Sequence, residues 1–379
     1  MNKRRLLLVV LISLFSIFIF SVCNDRTGST SVSKDTFLKQ LASTKNITVG
    51  TLYNYSYSNS GYKDFQIYNK TIKEEFDIYA LEWEFAPNEL WKGEYQYDFN
   101  YLDKALKFAK DNNLKVRGTH LLWYAQTPEW LKNGSYTATE VENMLKAYIN
   151  ALFTHVKTYY PGILTEICVA NEVLIDSETP GTHGFLRDCI WIKLGENYID
   201  KAFLWVNQVY PEGKLILNEY GVEFKGDFKT QKFLELVTQL KNSNIPIDAV
   251  GLQCHFTIDK NGLIDVPFDK AKFANAIADY QNSGLEIIIT ELDVRINDDQ
   301  QGITNAKLQE QAEIYRQVFE TCLKYPSVKN ITMWGFNDDL SYLNGNANWL
   351  PQERDWGLIF DKYFNPKPAY FSITEELKK

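Results

Sequence analysis

The feature that most constrains the fold of this 379-residue chain is a regular alternation of short β-rich runs with longer segments of helical periodicity. Eight runs are dense in Val, Ile, Leu and aromatic residues, and several are apolar almost throughout, as is typical of strands covered on both faces. These runs span residues 47–55, 76–85, 114–123, 164–172, 214–220, 247–255, 285–293 and 330–336. Such alternation favours parallel strands joined by helical crossovers.

Segments of helical periodicity lie between most of these runs. In the segment 139–160, for example, Val141, Leu145 and Leu152 recur at spacings that place them on one face. The other segments span 99–113, 197–210, 230–243, 270–283 and 305–325, with shorter candidates at 65–75 and 369–378. Eight strand–helix units in about 340 residues predict an α/β fold of the (β/α)8 TIM-barrel type.

A doubly wound open sheet is the alternative to a barrel. The first run contains Gly50-Thr51-Leu52, which lacks the glycine-rich phosphate loop of a dinucleotide-binding sheet. Composition argues against a nucleic-acid-binding protein, because 40 Lys and Arg against 48 Asp and Glu give a net charge of −8. An acidic chain lacks the electrostatic footprint of a nucleic-acid binder. We therefore expect one large domain with no nucleic-acid partner.

The N-terminal 35 residues differ in character from the rest of the chain. A basic start, Lys3 to Arg5, precedes an apolar run over 6–22, which is typical of a secretory signal peptide. Cys23 follows at once, so bacterial lipoprotein processing with an anchor on Cys23 is one interpretation, and a plain signal peptide or an uncleaved anchor are the others. The sequence thus predicts a signal at 1–22, a polar linker at 23–35 and a folded domain at 36–379.

Neither the remaining cysteines nor the histidines show the spacing of a metal site. Cys168, Cys189, Cys254 and Cys322 match no zinc pattern and lie in apolar neighbourhoods, so we expect buried free thiols. The four histidines also lack ligand spacing. We expect neither a metal nor an organic cofactor.

Polar and aromatic side chains collect at the carboxyl ends of the predicted strands, where (β/α)8 barrels build their active sites. Glu172 ends the fourth predicted strand and Glu291 lies at the end of the seventh, so their carboxyl groups are expected to face each other. Hydrolysis of a glycosidic bond needs two such groups, one to protonate the leaving oxygen and one to attack the anomeric carbon or activate water. Tryptophan rings suit the apolar faces of sugars, and the same strand ends carry Trp83, Trp123 and Trp334.

At these residues the chain resembles glycoside hydrolase family 10, the endo-β-1,4-xylanase family, over about residues 40–375. The most specific match is 289–293 (Ile-Thr-Glu-Leu-Asp), which is similar to the family's nucleophile motif. Residues 169–172 (Val-Ala-Asn-Glu) match its acid/base segment. Further matches, each on the expected strand or helix, are 118–130, 218–220, 253–255, 331–335 and 367–370.

The resemblance implies roles for the matched residues. Glu291 would be the nucleophile and Glu172 the general acid/base of a retaining mechanism, with the carboxyl groups ~5–5.5 Å apart. Asn171 would bind the sugar 2-hydroxyl, and His255 and Asp293 would support Glu291. Substrate contacts would come from Trp83, Trp123, Gln126, Asn218, Tyr220, Gln253, Trp334 and Tyr342.

Other positions depart from the family pattern. In the strand-two segment Ile78, Tyr79 and Glu82 stand where the family has Glu-Asn and then Lys, so an acceptor-only carboxylate replaces a cationic donor. The family's Gly-His-Thr is Gly-Thr-His at residues 118–120. Because side chains alternate along a strand, this swap is expected to turn His120 to the other face as a packed structural residue.

The sequence therefore predicts an exported, monomeric, retaining endo-β-1,4-glycanase that acts on xylan by double displacement. Long loops at 173–196 and 337–356 have two interpretations: they narrow the cleft or add product-side subsites, or they are exposed excursions with one or two Trp packed under them. Because Glu82 and His120 alter the walls that contact sugar, the same chemistry on another β-glucan or a decorated xylan is one alternative. A non-catalytic glycan-binding surface lipoprotein is the other, although a pure binder needs neither Glu172 nor Glu291.

Overall fold

A computed structural model of the protein describes residues 36–258, 266–296, 303–344 and 355–379. Residues Thr36–Lys379 group into one folded unit. The predicted signal at 1–22, the linker at 23–35 and the lipidation candidate Cys23 lie outside the described residues.

Eight parallel strands close into a ring. The described residues contain these eight strands and four more. In chain order all of them are β1 (Thr48–Tyr53), β2 (Ile78–Leu81), β3 (Trp91–Gly93), β4 (Gln96–Tyr97), β5 (Lys115–Gly118), β6 (Leu164–Asn171), β7 (Lys214–Glu219), β8 (Ala249–Leu252), β9 (His255–Thr257), β10 (Val266–Pro267), β11 (Glu286–Arg295) and β12 (Val328–Met333). The ring order is β1-β2-β5-β6-β7-β8-β11-β12, and β12 pairs back onto β1. Strands β9 and β10 extend the sheet beside β11, and β3 and β4 form a small hairpin.

Helices occupy the crossovers between the barrel strands. They are α1 (Leu38–Ser43), α2 (Tyr55–Ser58), α3 (Phe65–Glu75), α4 (Pro87–Leu90), α5 (Asn100–Asn112), α6 (Glu129–Lys132), α7 (Ala138–Tyr159), α8 (Tyr198–Val209), α9 (Phe228–Asn242), α10 (Lys270–Asn282), α11 (Asn305–Cys322) and α12 (Pro368–Lys378). Helix α7 begins with a capping box in which Thr137 and Glu140 exchange hydrogen bonds. Its predicted apolar face, which includes Val141, Leu145 and Leu152, is buried.

The predicted (β/α)8 barrel is confirmed, and each of the eight predicted runs contains a barrel strand. The differences lie at strand ends. In the run 114–123 the regular strand β5 ends at Gly118, and further along the run a single bridge pairs Leu122 with Ala170 of β6. The run 247–255 is interrupted between β8 and β9, where Cys254 takes a left-handed φ of 61°. Several predicted site residues lie at these strand ends, so the irregular backbone there determines the direction of their side chains.

Arg117 is buried in the barrel interior, and each of its three guanidinium nitrogens has a hydrogen-bond partner. Arg117 on β5 donates from Nε to Glu166 at 2.8 Å and from Nη2 to Asn330 across the barrel at 2.7 Å. Its Nη1 donates to the Thr332 hydroxyl at 3.2 Å. A charge removed from water is tolerated when it is paired and hydrogen-bonded in this way. Arg117 thus connects β5, β6 and β12 within the barrel.

Three of the four cysteines in the described residues, Cys168, Cys254 and Cys322, are buried, as predicted, and Cys189 is partly exposed. Within the described ranges, no helix has both the length and the apolar character needed to cross a bilayer. The same ranges hold no group of three or more His, Cys, Asp or Glu side chains suited to a metal ion.

Candidate active site

The carboxyl ends of the barrel strands surround a cavity of about 530 Å³. Both carboxyl groups singled out from the sequence, Glu172 and Glu291, reach this cavity. Its lining consists of Glu82, His120, Trp123, Tyr124, Ala125, Glu172, Tyr220, Gly221, Glu223, Gln253, His255, Glu291, Trp334 and Tyr342. The fold therefore brings most of the predicted site residues together, although the sequence separates them by more than 200 positions.

Glu172 is the first residue after β6, and its backbone is left-handed with φ of 52°. That conformation costs an L-residue with a side chain on the order of 1 kcal/mol. Its carboxyl group accepts hydrogen bonds from the indole Nε1 of Trp123 at 2.9 Å and from Nε2 of Gln253 at 3.2 Å. One donor serves each oxygen, so the carboxyl group is held in a defined orientation at the cavity.

Glu291 lies within β11 and is almost fully buried. Its Oε1 accepts a hydrogen bond from Nδ2 of Asn218 at 2.8 Å, and its Oε2 lies 3.5 Å from Nε2 of His255. The Thr290 hydroxyl donates to Oδ1 of Asn218 at 2.7 Å and so fixes the amide that faces Glu291. Donors on two sides favour the ionised form of this carboxyl group.

Side-chain amides connect the two carboxyl groups. Oδ1 of Asn171 accepts hydrogen bonds from Asn218 at 2.9 Å and from Gln253 at 3.2 Å, and these two amides also donate to Glu291 and Glu172 respectively. Nδ2 of Asn171 is buried and has no hydrogen-bond partner among the described residues. A buried donor without a partner is costly, so this group offers a hydrogen bond to a ligand that enters the cavity.

The two environments shift the pKa values of the pair in opposite directions. Burial raises the pKa of Glu172, hydrogen bonds from Gln253 and Trp123 oppose this rise, and the charge of Glu291 adds to it. Burial also acts to raise the pKa of Glu291, but the hydrogen bond from His255 and the one from Asn218 help to hold it below its ordinary value. One group is biased toward the acid and the other toward the carboxylate, which is the division that acid and nucleophile roles require.

His255 links Glu291 to Asp293. Its Nδ1 lies 3.0 Å from Oδ2 of Asp293 and 3.2 Å from the Tyr342 hydroxyl, while Nε2 faces Glu291. Burial lowers the pKa of His255, but the charges of Asp293 and Glu291 raise it well above its ordinary value. The two carboxyl groups on either side of the ring thus favour its imidazolium form, and His255 lies next to Glu291, with Asp293 next to His255, where supporting roles were expected for them.

The expectation that His120 turns to the other face is wrong. Because β5 ends at Gly118, strand alternation does not continue to residue 120, and the imidazole lines the cavity. Its Nε2 lies 3.7 Å from Oε1 of Glu291, and its ring meets Trp123 edge-on with centroids 5.2 Å apart. Burial lowers the pKa of His120 to about 4, so the ring is neutral at pH 7. On the other side of His120, Trp334 forms a further part of the cavity wall.

Glu82 lines the cavity, and together with its neighbours Trp83 and Gln126, which lie outside the lining, it is here called the strand-two wall. Oε1 of Glu82 accepts a hydrogen bond from Gln126 at 3.3 Å, and Oε1 of Gln126 is buried with no hydrogen-bond partner in the described ranges. Burial, followed by the charge of Glu291, raises the pKa of Glu82 to about 7. Trp83 is 37% exposed, packs edge-on against Tyr101 and lies outside the cavity lining.

The other two departures from the family pattern do not reach the cavity. Ile78 is buried, and Tyr79 is buried with its hydroxyl donating to the carbonyl of Ala105 in α5 at 2.6 Å. Tyr79 therefore belongs to the layer between the barrel and its helices. Of the three strand-two positions, only Glu82 lines the cavity.

On the opposite side the cavity is bounded by the predicted residue Tyr220 and by Tyr124 and Glu223, which sequence reasoning missed. The Tyr220 hydroxyl donates to Asp176 at 2.7 Å, and the Arg187 guanidinium stacks on the Tyr124 ring at 4.6 Å. Tyr124 and Glu223 are close in sequence to the predicted residues Trp123 and Tyr220, and this proximity is the sequence feature that could have identified them. Arg187 gave no signal, because its place depends on how the loop 173–196 folds.

The two long loops differ in whether they line the cavity. Loop 173–196 contributes no residue to the lining and instead packs behind Tyr220 and Tyr124 through Asp176 and Arg187. The interpretation in which it narrows the cleft directly is therefore wrong. Loop 337–356 contributes Tyr342 to the lining, while its residues 345–354, with Trp349, lie outside the described residues.

Comparison with known proteins gives consistent matches. The profile of Glycosyl hydrolase family 10 matches residues 37–376. Endo-1,4-beta-xylanase B of Thermotoga neapolitana is 30% identical over 350 residues, which cover 92% of this chain and 93% of that protein. Beta-1,4-xylanase of Dictyoglomus thermophilum is 33% identical over 317 residues, covering 81% of this chain and 84% of that protein.

A solved structure with a similar fold is xylanase 10B from Thermotoga petrophila in complex with xylobiose. It is 31% identical, covers 91% of this chain and 98% of its own, and superposes with a TM-score of 0.81. The similarity thus extends over the whole barrel and includes the strand ends that form the cavity.

Proposed function

The chain belongs to glycosyl hydrolase family 10 and is a glycoside hydrolase, and on that premise we propose that it cleaves β-1,4-xylan internally by double displacement with net retention. The observation that carries the proposal is the pair Glu172 and Glu291, which share one cavity and have pKa values shifted in opposite directions. The choice of xylan is supported by relatives described as xylanases and by the xylobiose in a similar structure.

In the first step the carboxylate of Glu291 attacks the anomeric carbon. The bond from that carbon to the glycosidic oxygen breaks, its electron pair stays on the oxygen, and Glu172 supplies the proton. Hydrogen bonding from Asn218 aims the Glu291 carboxylate. The contact with His255 is compatible with attack, because it lowers the pKa of Glu291 and so keeps its carboxyl group ionised.

In the second step water hydrolyses the glycosyl ester on Glu291. Once Glu291 is esterified its negative charge is gone, so one cause of the raised pKa of Glu172 disappears and Glu172 acts as the base. Water then attacks the anomeric carbon, its proton passes to Glu172, and the bond to Glu291 breaks. Two inversions at one carbon give net retention.

Contacts to the sugar follow from the unpaired and aromatic groups of the cavity. The unpartnered Nδ2 of Asn171 is placed to donate to the 2-hydroxyl, a hydrogen bond that strengthens in the transition state. Trp123 and Trp334 provide flat apolar walls. Tyr220 and Tyr342 add hydroxyl groups at the cavity surface.

The test measures oligosaccharide release by the mature chain, by Glu291→Gln and by a matched surface control, Glu235→Gln on α9. The panel contains linear xylan, arabinoxylan, glucuronoxylan, mixed-linkage glucan, soluble cellulose and mannan. We expect short oligomers from the xylans with the parent and the control and none with Glu291→Gln. Undiminished release by Glu291→Gln, or no release from any glycan by the parent, would contradict the proposal.

One observation favours a second substrate for the same chemistry. Glu82 places a carboxyl group with a pKa of about 7 on the cavity wall, where it accepts hydrogen bonds from sugar hydroxyls when ionised. A decorated xylan or another β-glucan is therefore the second candidate. In the same panel, release from one of these glycans with linear xylan untouched would select it.

We also propose that the enzyme is exported, either as a secreted protein or as a lipoprotein anchored through Cys23, and that it is monomeric. The support is the basic start followed by the apolar run 6–22 and Cys23. Expression of the full chain and of Cys23→Ala in a bacterial host fed labelled fatty acid tests the anchor. Label in the parent that is absent from Cys23→Ala supports it, and an unlabelled parent contradicts it. Light scattering of the mature chain tests the monomer.

A further inference from the structure

We propose that Arg187 is a positioning residue for Glu172. Its guanidinium holds the backbone of Glu172 in the left-handed conformation from which the carboxyl group reaches the cavity. This inference rests on the proposed function, because it assigns Arg187 a part in proton transfer by Glu172.

The contacts to the backbone are direct. Nε of Arg187 donates to the carbonyl oxygen of Glu172 at 3.1 Å, and Nη2 donates to the carbonyl oxygen of Leu174 at 2.9 Å. The peptide N–H of Arg187 donates to Val173 at 2.7 Å. Three consecutive carbonyl groups that follow β6 are thus bound by one residue, although that residue lies 15 positions away in the chain.

Glu172 needs such a partner because it is the point where the chain leaves the sheet. Its N–H still donates to the carbonyl of Asn218 in β7 at 3.1 Å, but β6 has ended and the strand ladder offers nothing to its carbonyl oxygen. With φ of 52° the residue is in a region that side-chain-bearing residues occupy only when their surroundings enforce it. Asn218 holds one peptide group of Glu172, and Arg187 holds the next.

Arg187 is itself fixed on several sides. Its guanidinium stacks on Tyr124 at 4.6 Å, and Nη2 also lies within hydrogen-bond distance of the Tyr220 hydroxyl at 3.2 Å and of Asp176 at 3.3 Å. Lys229 donates to the same Asp176 at 2.8 Å and so holds the carboxylate in place. A planar guanidinium with several hydrogen bonds holds the Glu172 backbone in one position, whereas a flexible ammonium does not.

The chemical consequence concerns proton donation. Loss of Arg187 frees the backbone of Glu172, so the carboxyl group no longer stays at the distance that proton transfer to the leaving oxygen requires. A glycoside with a poor leaving group needs that proton, whereas one with a very good leaving group departs without it. Misplacement of Glu172 therefore predicts a loss of rate that grows as the leaving group worsens.

The experiment compares the parent, Arg187→Met, Arg187→Lys, Glu172→Ala and the surface control Arg316→Met, which alters a guanidinium paired with Glu313 on α11. The readouts are kcat/KM on aryl β-xylobiosides from phenyl to 2,4-dinitrophenyl, turnover with added azide, and the melting temperature. For both Arg187 variants we expect ~10–100-fold loss on the phenyl substrate, which is less than the roughly 10²–10⁴-fold that general acid catalysis supplies in full, and little loss on the dinitrophenyl substrate. Azide is expected to accelerate dinitrophenyl turnover, because it attacks the glycosyl enzyme without a base.

A uniform loss across all leaving groups without an azide effect, or unchanged kinetics, would overturn the inference and leave Arg187 a purely structural role. If Arg187→Met does not fold, Arg187→Lys carries the same readouts, because it keeps the charge and lacks the planar fork. Glu172→Ala separates the two claims. If it shows neither effect, the acid/base role of Glu172 fails and the inference fails with it; if it shows both and the Arg187 variants show neither, only the inference fails.

Discussion

The proposed catalytic pair, Glu172 and Glu291, shares one cavity with Glu82 of the strand-two wall, but the pair and the wall are held in different ways. Glu172 accepts hydrogen bonds from Trp123 and Gln253, and Glu291 is fixed by Asn218 on β7 and faces His255 on β9. Glu82 on the strand-two wall accepts one hydrogen bond, from Gln126, at 3.3 Å. The comparison teaches that the pair is positioned from several strands at once, whereas the strand-two wall is open to change without disturbing the pair.

Glu172→Gln gives the largest effect among the variants that sharpen this comparison. The amide keeps the shape of the carboxyl group but neither donates nor accepts the catalytic proton, so we expect xylan hydrolysis to fall by roughly 10²–10⁴-fold. Steady-state kinetics measure the loss. A reduction below about tenfold would remove Glu172 from the acid/base role.

Asn218→Ala tests whether the network behind the pair matters as the geometry indicates. The change removes the donor to Glu291 and one of the two donors to Asn171. A hydrogen bond to a charged group is worth about 1.5–3 kcal/mol, so we expect kcat/KM on xylan to fall ~10–100-fold. Asn242→Ala at the end of α9 is the matched control, and an equal loss in both variants would contradict a specific role.

Glu82→Gln tests the opposite side of the comparison. Because Glu82 makes no hydrogen bond to Glu172 or Glu291 within the described residues, its replacement is expected to change KM by up to ~10-fold while kcat stays within ~3-fold, the pattern of lost uniform binding. Kinetics on linear xylan and glucuronoxylan provide the measurement. A fall in kcat as large as that of Asn218→Ala would make the two regions equivalent and break the comparison.

The smallest expected effect concerns stability against pH. The folded-state pKa of Glu82 is raised from its ordinary 4.5 to about 7, so its protonated form favours folding below pH 4.5 and that contribution is lost as the pH rises through 7. We expect the melting temperature of the parent to fall more than that of Glu82→Gln between pH 5 and 8. The difference is on the order of 1 kcal/mol, or ~1–3 °C. Parallel curves would contradict the raised pKa.

The barrel, and the placement of Glu172 and Glu291 at one cavity, could be predicted from sequence because both depend on local patterns. Apolar runs such as 285–293 specify buried parallel strands, and Glu291 lies two residues beyond the part of β11 that pairs with β8. The amide network also follows from strand ends, since Asn171 and Asn218 are register partners in β6 and β7.

The remaining site features depend on where the chain leaves the strands. The side of the strand on which His120 lies was predicted wrongly, because β5 ends at Gly118 and strand periodicity does not apply beyond it. The Trp123 hydrogen bond to Glu172 and the contacts of Arg187 join loops that are far apart in sequence. No periodicity encodes such contacts, because they follow from the tertiary packing of irregular segments.

The central claim is that Glu291 and Glu172 act as a retaining pair, and trapping the covalent intermediate tests it most directly. The mature chain is incubated with a 2-deoxy-2-fluoro-β-xylobioside that carries a good leaving group, digested, and mapped by mass spectrometry, with Glu291→Gln as the control. The account predicts one fluoroxylobiosyl adduct on Glu291 and none on the control. An adduct on Glu172, or full activity with no adduct on either residue, would contradict it.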